Sequence, residues 1–138
     1  MRRLRFQPIA GRTEEIIDAI LQTEEVASCG KALYAVHLVC EEWVVNVVSY
    51  AYPSDVEGYL VVEIERTDIG LTIRFRDGGV AFNPLEKEMP DVSLPLEDRP
   101  IGGLGIFLTL QMMDEVSYER IQDENVLTIK KRINADEK

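Results

Sequence analysis

The chain has 138 residues, 46% of them hydrophobic, which is enough apolar side chain for one buried core and too much for a disordered segment. A formal net charge of -10 repels a phosphate backbone at long range, so no nucleic-acid partner is expected, although a local pocket with Mg²⁺ can still hold a nucleotide against that field. One histidine, His37, and two cysteines without metal-ligand spacing, Cys29 and Cys40, argue against a His-based metal centre or triad and for reduced, partly buried thiols.

The arginines at 2, 3 and 5 are followed by no apolar run, so the start does not read as a secretory signal. The apolar stretches read as shorter than a bilayer span, which makes a cytosolic chain without a membrane partner the expectation. Arg2–Phe6 alternates weakly and reads as an edge strand. Glu14 to Glu25 then places Ile16, Ile17, Ile20 and Leu21 at helical spacing, with Thr13 as the N-cap. Ser28-Cys29-Gly30 breaks that pattern. A longer helix is predicted from about Lys31 to Tyr50, with Ala32, Val36, Val39, Trp43, Val47 and Tyr50 on one apolar stripe and His37 as a packing residue. Pro53 and the turn-rich stretch to Gly58 end it.

Tyr59–Thr67 and Leu71–Arg76 each alternate apolar with polar residues and read as strands joined at Asp68-Ile69-Gly70. Pro84, Pro90, Pro95 and Pro100 are four of the chain's six prolines, so about 84–101 reads as a long irregular loop of the kind that serves as a lid. A third helix is predicted from near Gly103 to near Met113. A last hairpin, Val116–Arg120 and Val126–Ile133, is predicted to turn at Asp123-Glu124-Asn125. The order implies an α+β fold over 1–138 as a single domain: a two-layer α/β sandwich of a mostly antiparallel sheet with three helices on one face.

Three short patterns carry candidate chemistry. Glu42 and Asn46 lie four apart on the second helix and share a face at the border of its apolar stripe, where a polar side chain needs partners. They read either as ordinary helix-surface residues or as a site. Asp77 continues the parity of Leu71, Ile73 and Phe75, so a regular strand turns its carboxylate toward the helices, a costly place for a charge without strong hydrogen bonds. Asp77-Gly78 also reads as a simple turn. Gly102-Gly103-Leu104-Gly105 opens the third helix, either as a hinge or as an anion-binding helix start with bared N–H groups.

In that order the three patterns resemble the Bergerat-fold (GHKL) ATPase and kinase superfamily. Glu42-Trp43-Val44-Val45-Asn46 is similar to its N box. Asp77-Gly78-Gly79-Val80-Ala81-Phe82-Asn83-Pro84 is similar to its first glycine box, and Gly102-Gly103-Leu104-Gly105-Ile106 to its second. The small size, Tyr50-Ala51-Tyr52 after the N box and Met113-Asp114-Glu115-Val116 after the third helix resemble the anti-sigma-factor serine-protein kinase branch. Two departures stand out: Val45 occupies a position that is often Thr, and Tyr50 one where several relatives carry His.

The resemblance implies a histidine-kinase-like ATP-binding domain that uses ATP/ADP and Mg²⁺. It implies Glu42 as general base toward a serine hydroxyl and Asn46 as Mg²⁺ ligand. It implies Asp77 as acceptor for the adenine amino group, with Gly79 letting the ring approach. Phe82, Gly102, Gly103, Leu104 and Gly105 complete the implied nucleotide site, with Gly103 and Gly105 holding the phosphates at the helix start, and about 84–101 becomes the ATP lid. The implied partners are a small anti-anti-sigma antagonist and a sigma factor, with a homodimer for which Arg2–Phe6 is the pairing strand. A nucleotide-gated binding switch without kinase activity is the other function compatible with Val45.

Overall fold

The computed structural model describes residues 1–53, 56–85 and 109–133. The predicted lid beyond Leu85, the second glycine box and most of the predicted third helix lie outside the described residues. The chain runs β1 (Arg2–Phe6), α1 (Thr13–Leu21), α2 (Glu24–Ala27), a 3₁₀ turn (Gly30–Ala32), α3 (Leu33–Asn46), a π-helical turn (Val47–Ala51), β2 (Leu60–Arg66), β3 (Gly70–Asp77), β4 (Glu115–Ile121) and β5 (Glu124–Arg132). The fold is α+β. Among the described residues five strands form one sheet in the order β1-β2-β3-β5-β4, each pair antiparallel.

Register decides which residues meet the helices. Leu60 pairs with Asp77, Val62 with Phe75 and Ile64 with Ile73. Ile73 pairs in turn with Ile129, and Phe75 with Leu127. Paired residues share a face, so all of these but Asp77 form one apolar layer beneath Ile16, Ile20, Val36, Val39, Trp43 and Val44 of the helices. Each large aliphatic or aromatic side chain so covered is worth roughly 1.5–3 kcal/mol. On the other face Glu63 pairs across the strands with Arg74 and accepts a 2.9 Å bond from Arg76 Nε. That bond, opposed by burial, holds the Glu63 carboxyl below the usual carboxylate range.

Several local expectations are corrected. Thr13 is the first residue of α1, and Arg12 precedes it without a side-chain cap. The helix predicted through Glu25 stops at Leu21; the capped start belongs to Thr23, whose Oγ1 accepts from Val26 N (3.4 Å) and donates to Ile20 O (2.8 Å), opening α2. His37 lies on the exposed side of α3, 3.9 Å from Glu41 one turn on. Both cysteines are free and buried, and burial pushes the Cys40 thiol up to about 12.

The helical run Gly30–Ala51, 22 residues, is long and apolar enough by composition to cross a bilayer, contrary to the reading above. Its Val36, Val39, Trp43, Val44 and Val47 are instead packed in the core. The wider π-helical turn at its end shifts the helical phase, and Tyr50 leaves the apolar stripe to stand 47% exposed.

The last hairpin also turns earlier and more tightly than expected. Ile121 pairs with Glu124, leaving Gln122 and Asp123 as the loop, both left-handed at φ 47 and 68. Two successive left-handed residues make the tight turn whose twist suits antiparallel strands. Glu124 and Asn125 therefore belong to β5, and Asn125 pairs directly with Asp77.

Candidate functional site

Asp77 ends β3 on the helix-facing side and is 1% exposed. Its Oδ1 accepts from Gly79 N at 3.0 Å and from Asn125 Nδ2 at 2.9 Å. Among the described residues its Oδ2 accepts no hydrogen bond, and Asp77 lines a cavity of about 240 Å³. Burial is the main influence on its carboxyl and pushes the pKa above the ordinary aspartate value; the Asn125 and Gly79 bonds and the Arg120 charge pull the other way, and Glu124 adds to the rise. A buried carboxylate with one oxygen tied back and the other facing a cavity is built to accept a donor from a ligand.

Asn125 makes that arrangement rigid. Its Nδ2 also donates to Val80 O at 2.8 Å, and its Oδ1 accepts from Phe82 N at 3.2 Å and from the Tyr118 hydroxyl. Both donors and the acceptor of this 3% exposed side chain are thereby used. Arg120 Nη1 donates to Gly79 O at 2.8 Å and ties the same turn to β4. The sequence does not reveal this role, because Asp123-Glu124-Asn125 reads there as the hairpin turn. A left-handed Gln122-Asp123 pair without glycine carries little turn signal.

The helix layer supplies the opposite wall. Trp43, Asn46, Val47, Tyr50 and Ala51 line the cavity from α3 and the π-helical turn. The Trp43 ring stacks on Phe82, centroids 6.0 Å apart and planes 21° off parallel. Asn46 is 9% exposed and its amide makes no hydrogen bond to the described residues, which leaves it available at the cavity. Glu42 sits one turn earlier, half-buried, outside the lining of this cavity.

Gly79 makes a close approach within the chain itself. A Cβ there would lie 2.3 Å from the Ala51 carbonyl oxygen, so the missing side chain admits the end of the π-helical turn. That approach lets Val80 N donate to Ala51 O at 2.8 Å.

A larger cleft of about 590 Å³ lies between β1 and α1, lined in part by Arg5, Arg12, Glu15 and Glu57. Its charges are exposed and of both signs, whereas the smaller cavity combines an aromatic wall with two buried, under-used polar groups. The smaller one has the make-up of a ligand site.

Structure therefore brings Asn46, Asp77 and Phe82 together around one cavity and leaves Glu42 at its side. Gly102, Gly103, Leu104 and Gly105 lie outside the described residues. Residues 10–131 match the family described as the histidine kinase-like ATPase domain. Over 116 residues the chain is 25% identical to the serine/threonine-protein kinase BtrW of Bordetella bronchiseptica, covering 81% of this chain and 82% of that one. Over 89 residues it is 33% identical to the serine-protein kinase RsbW of Bacillus thuringiensis, and 34% identical to an RsbW of Bacillus cereus. Those two matches cover 62% of this chain and 55% of the RsbW chains, so it spans little more than half the length of those relatives. With the family match running from the loop between β1 and α1 into the last residues of β5, the chain belongs to the histidine kinase-like ATPase domain family.

Proposed function

We propose that the chain is a Mg·ATP-dependent serine-protein kinase of the anti-sigma-factor type, which phosphorylates a small anti-anti-sigma antagonist and holds a sigma factor in a separate complex. The observation that carries the nucleotide reading is the open Oδ2 of Asp77, on a carboxylate already fixed by Gly79 and Asn125. That oxygen accepts a hydrogen bond from the exocyclic amino group of adenine, while Phe82 and Trp43 give the ring an apolar wall. Guanine, with a carbonyl in place of that amino group, would set oxygen against oxygen.

Asn46 fits a magnesium site. Among the described residues no three His, Cys, Asp or Glu side chains cluster to hold a metal, and an ion kept by one amide oxygen plus nucleotide phosphates needs no such cage. When bound, Mg²⁺ neutralises charge on the phosphates. Glu42, on the same helix face one turn away, takes the proton of the attacking serine hydroxyl. Positioning and charge compensation are most of what phosphoryl transfer asks of a protein, so this small set suffices.

Support for the kinase assignment comes from the family membership and from the kinase names of the relatives. The test is phosphate transfer from Mg·ATP to a serine of the candidate antagonist, followed by mass spectrometry. Glu42→Ala should abolish transfer and leave ATP binding within about twofold. An antagonist that binds but is never labelled while ATP stays bound would end the kinase reading.

A second reading, a nucleotide-gated binding switch, draws on Val45. This apolar residue is 41% exposed beside Asn46, where a polar contact would serve catalysis. Under it, Glu42→Ala releases partner in response to ATP as well as the wild type does.

A further inference from the structure

Tyr52 follows the π-helical turn and does not line the cavity, yet its hydroxyl is fully engaged. Oη accepts from Gly78 N at 2.7 Å and from Tyr59 N at 3.1 Å, and it donates to Tyr59 O at 2.7 Å. A phenol offers one donor and two acceptor sites, so nothing is left over. Gly78 is the residue after Asp77, and Val80 of the same turn is bonded to Ala51 O, next to Tyr52 in the chain. The two residues that end the helix thus grip the turn on both sides of Gly79. The ring is seated just as closely: a Cβ on Gly58 would fall 2.3 Å from Tyr52 Cε2.

We propose that Tyr52 is a positioning residue for nucleotide recognition, holding the backbone at Gly78 so that the Asp77 carboxylate presents Oδ2 to the amino group of the base. The inference rests on the nucleotide reading above and adds a residue that touches no ligand. Its logic is geometric. The side chain of Asp77 caps Gly79 N at 3.0 Å, so a shift of the Gly78 peptide moves both ends of the bond that orients the carboxylate. Asn125 restrains the Oδ1 side from β5, and Tyr52 restrains the backbone side from the helix layer. Tyr59, the other partner of Tyr52, is itself bonded through its hydroxyl to Glu124, the neighbour of Asn125. Burial, the leading influence, pushes the Tyr52 phenol above its usual pKa, so the donor to Tyr59 O persists through the physiological range.

The test uses Tyr52→Phe, which keeps the ring and removes only the oxygen, and two probes: Mg·ATP and Mg·purine-riboside triphosphate, which lacks the amino group. Wild type should prefer ATP. In Tyr52→Phe the affinity for ATP should fall about tenfold while that for the amino-free analogue changes less than twofold, because only the contact to Asp77 has been loosened. Gly58→Ala, which keeps the hydroxyl but displaces the ring that carries it away from Gly78 N, should give the same loss of preference even if Tyr52→Phe folds poorly. Equal losses for both probes, or no loss for either, would overturn the positioning role while leaving the nucleotide site standing. Failure of wild type to bind either probe would remove the nucleotide reading and this one together.

Discussion

Asp77→Asn separates what this carboxylate does for folding from what it does for ligand. Burial raises its pKa above the ordinary value of 3.8, so the folded chain holds that proton more tightly than the unfolded chain does. The stability this group contributes is therefore present below the ordinary aspartate value and lost as pH rises through the raised one. At neutral pH the folded protein carries the cost of a buried charge. Asparagine removes the charge and keeps an oxygen that accepts from Gly79 N and Asn125 Nδ2, so unliganded Asp77→Asn should melt no lower than wild type.

Ligand reverses the ranking. At an ATP concentration about 100 times Kd, wild type gains roughly 2.7 kcal/mol. With an unfolding entropy of about 2.1 cal/mol/K per residue, 138 residues give a rise in Tm of about 9 °C. The variant loses a charge-assisted bond worth roughly 1.5–3 kcal/mol and offers an N–H to another N–H. At the same ATP concentration its shift falls to about 1–4 °C. Thermal melts with and without Mg·ATP measure both halves. Equal ATP shifts in the two proteins would refute the base contact, and a collapsed unliganded variant would show the carboxylate to be structural. Wild-type affinity for ATP should also fall with acidification sooner than an ordinary carboxylate would cause, since a protonated Asp77 no longer accepts at both oxygens.

Other consequences follow from the same turn. Asn125→Ala deletes the bonds that its amide makes to Asp77 Oδ1, Val80 O and Phe82 N, which should cost about 2–4 kcal/mol in urea unfolding and weaken ATP binding measured calorimetrically. Gly79→Ala drives a Cβ to 2.3 Å from the Ala51 carbonyl, a backbone contact that cannot rotate away. It should destabilise by at least about 1–3 kcal/mol and reduce ATP affinity with it. Glu42→Ala should leave the Mg·ATP thermal shift unchanged to within about 1 °C and eliminate phosphate transfer in a radiolabel assay.

Much of the fold was legible because its signals are periodic. Alternation in Leu60–Ile64 and Leu71–Phe75 announced one buried sheet face, and continuing that parity by two residues placed Asp77 on it. Signals failed where backbone conformation departs from a regular period. The π-helical turn at Val47–Ala51 sent Tyr50 outward, and the left-handed Gln122-Asp123 pair moved the hairpin turn. That second shift hid Asn125, since a residue assigned to a turn suggests no partner across a sheet. Glycine at 79 was recognisable as a point of close approach, whereas its contact with the Ala51 carbonyl is distant in sequence and only the packed structure identifies it.

The most direct measurement is a crystal structure of the chain with Mg·ATP. The account predicts the adenine ring in the cavity beside Phe82 and Trp43, its amino nitrogen within about 2.7–3.2 Å of Asp77 Oδ2. A base bound elsewhere, such as the cleft beside Arg12 and Glu15, with Oδ2 still unengaged, would contradict it.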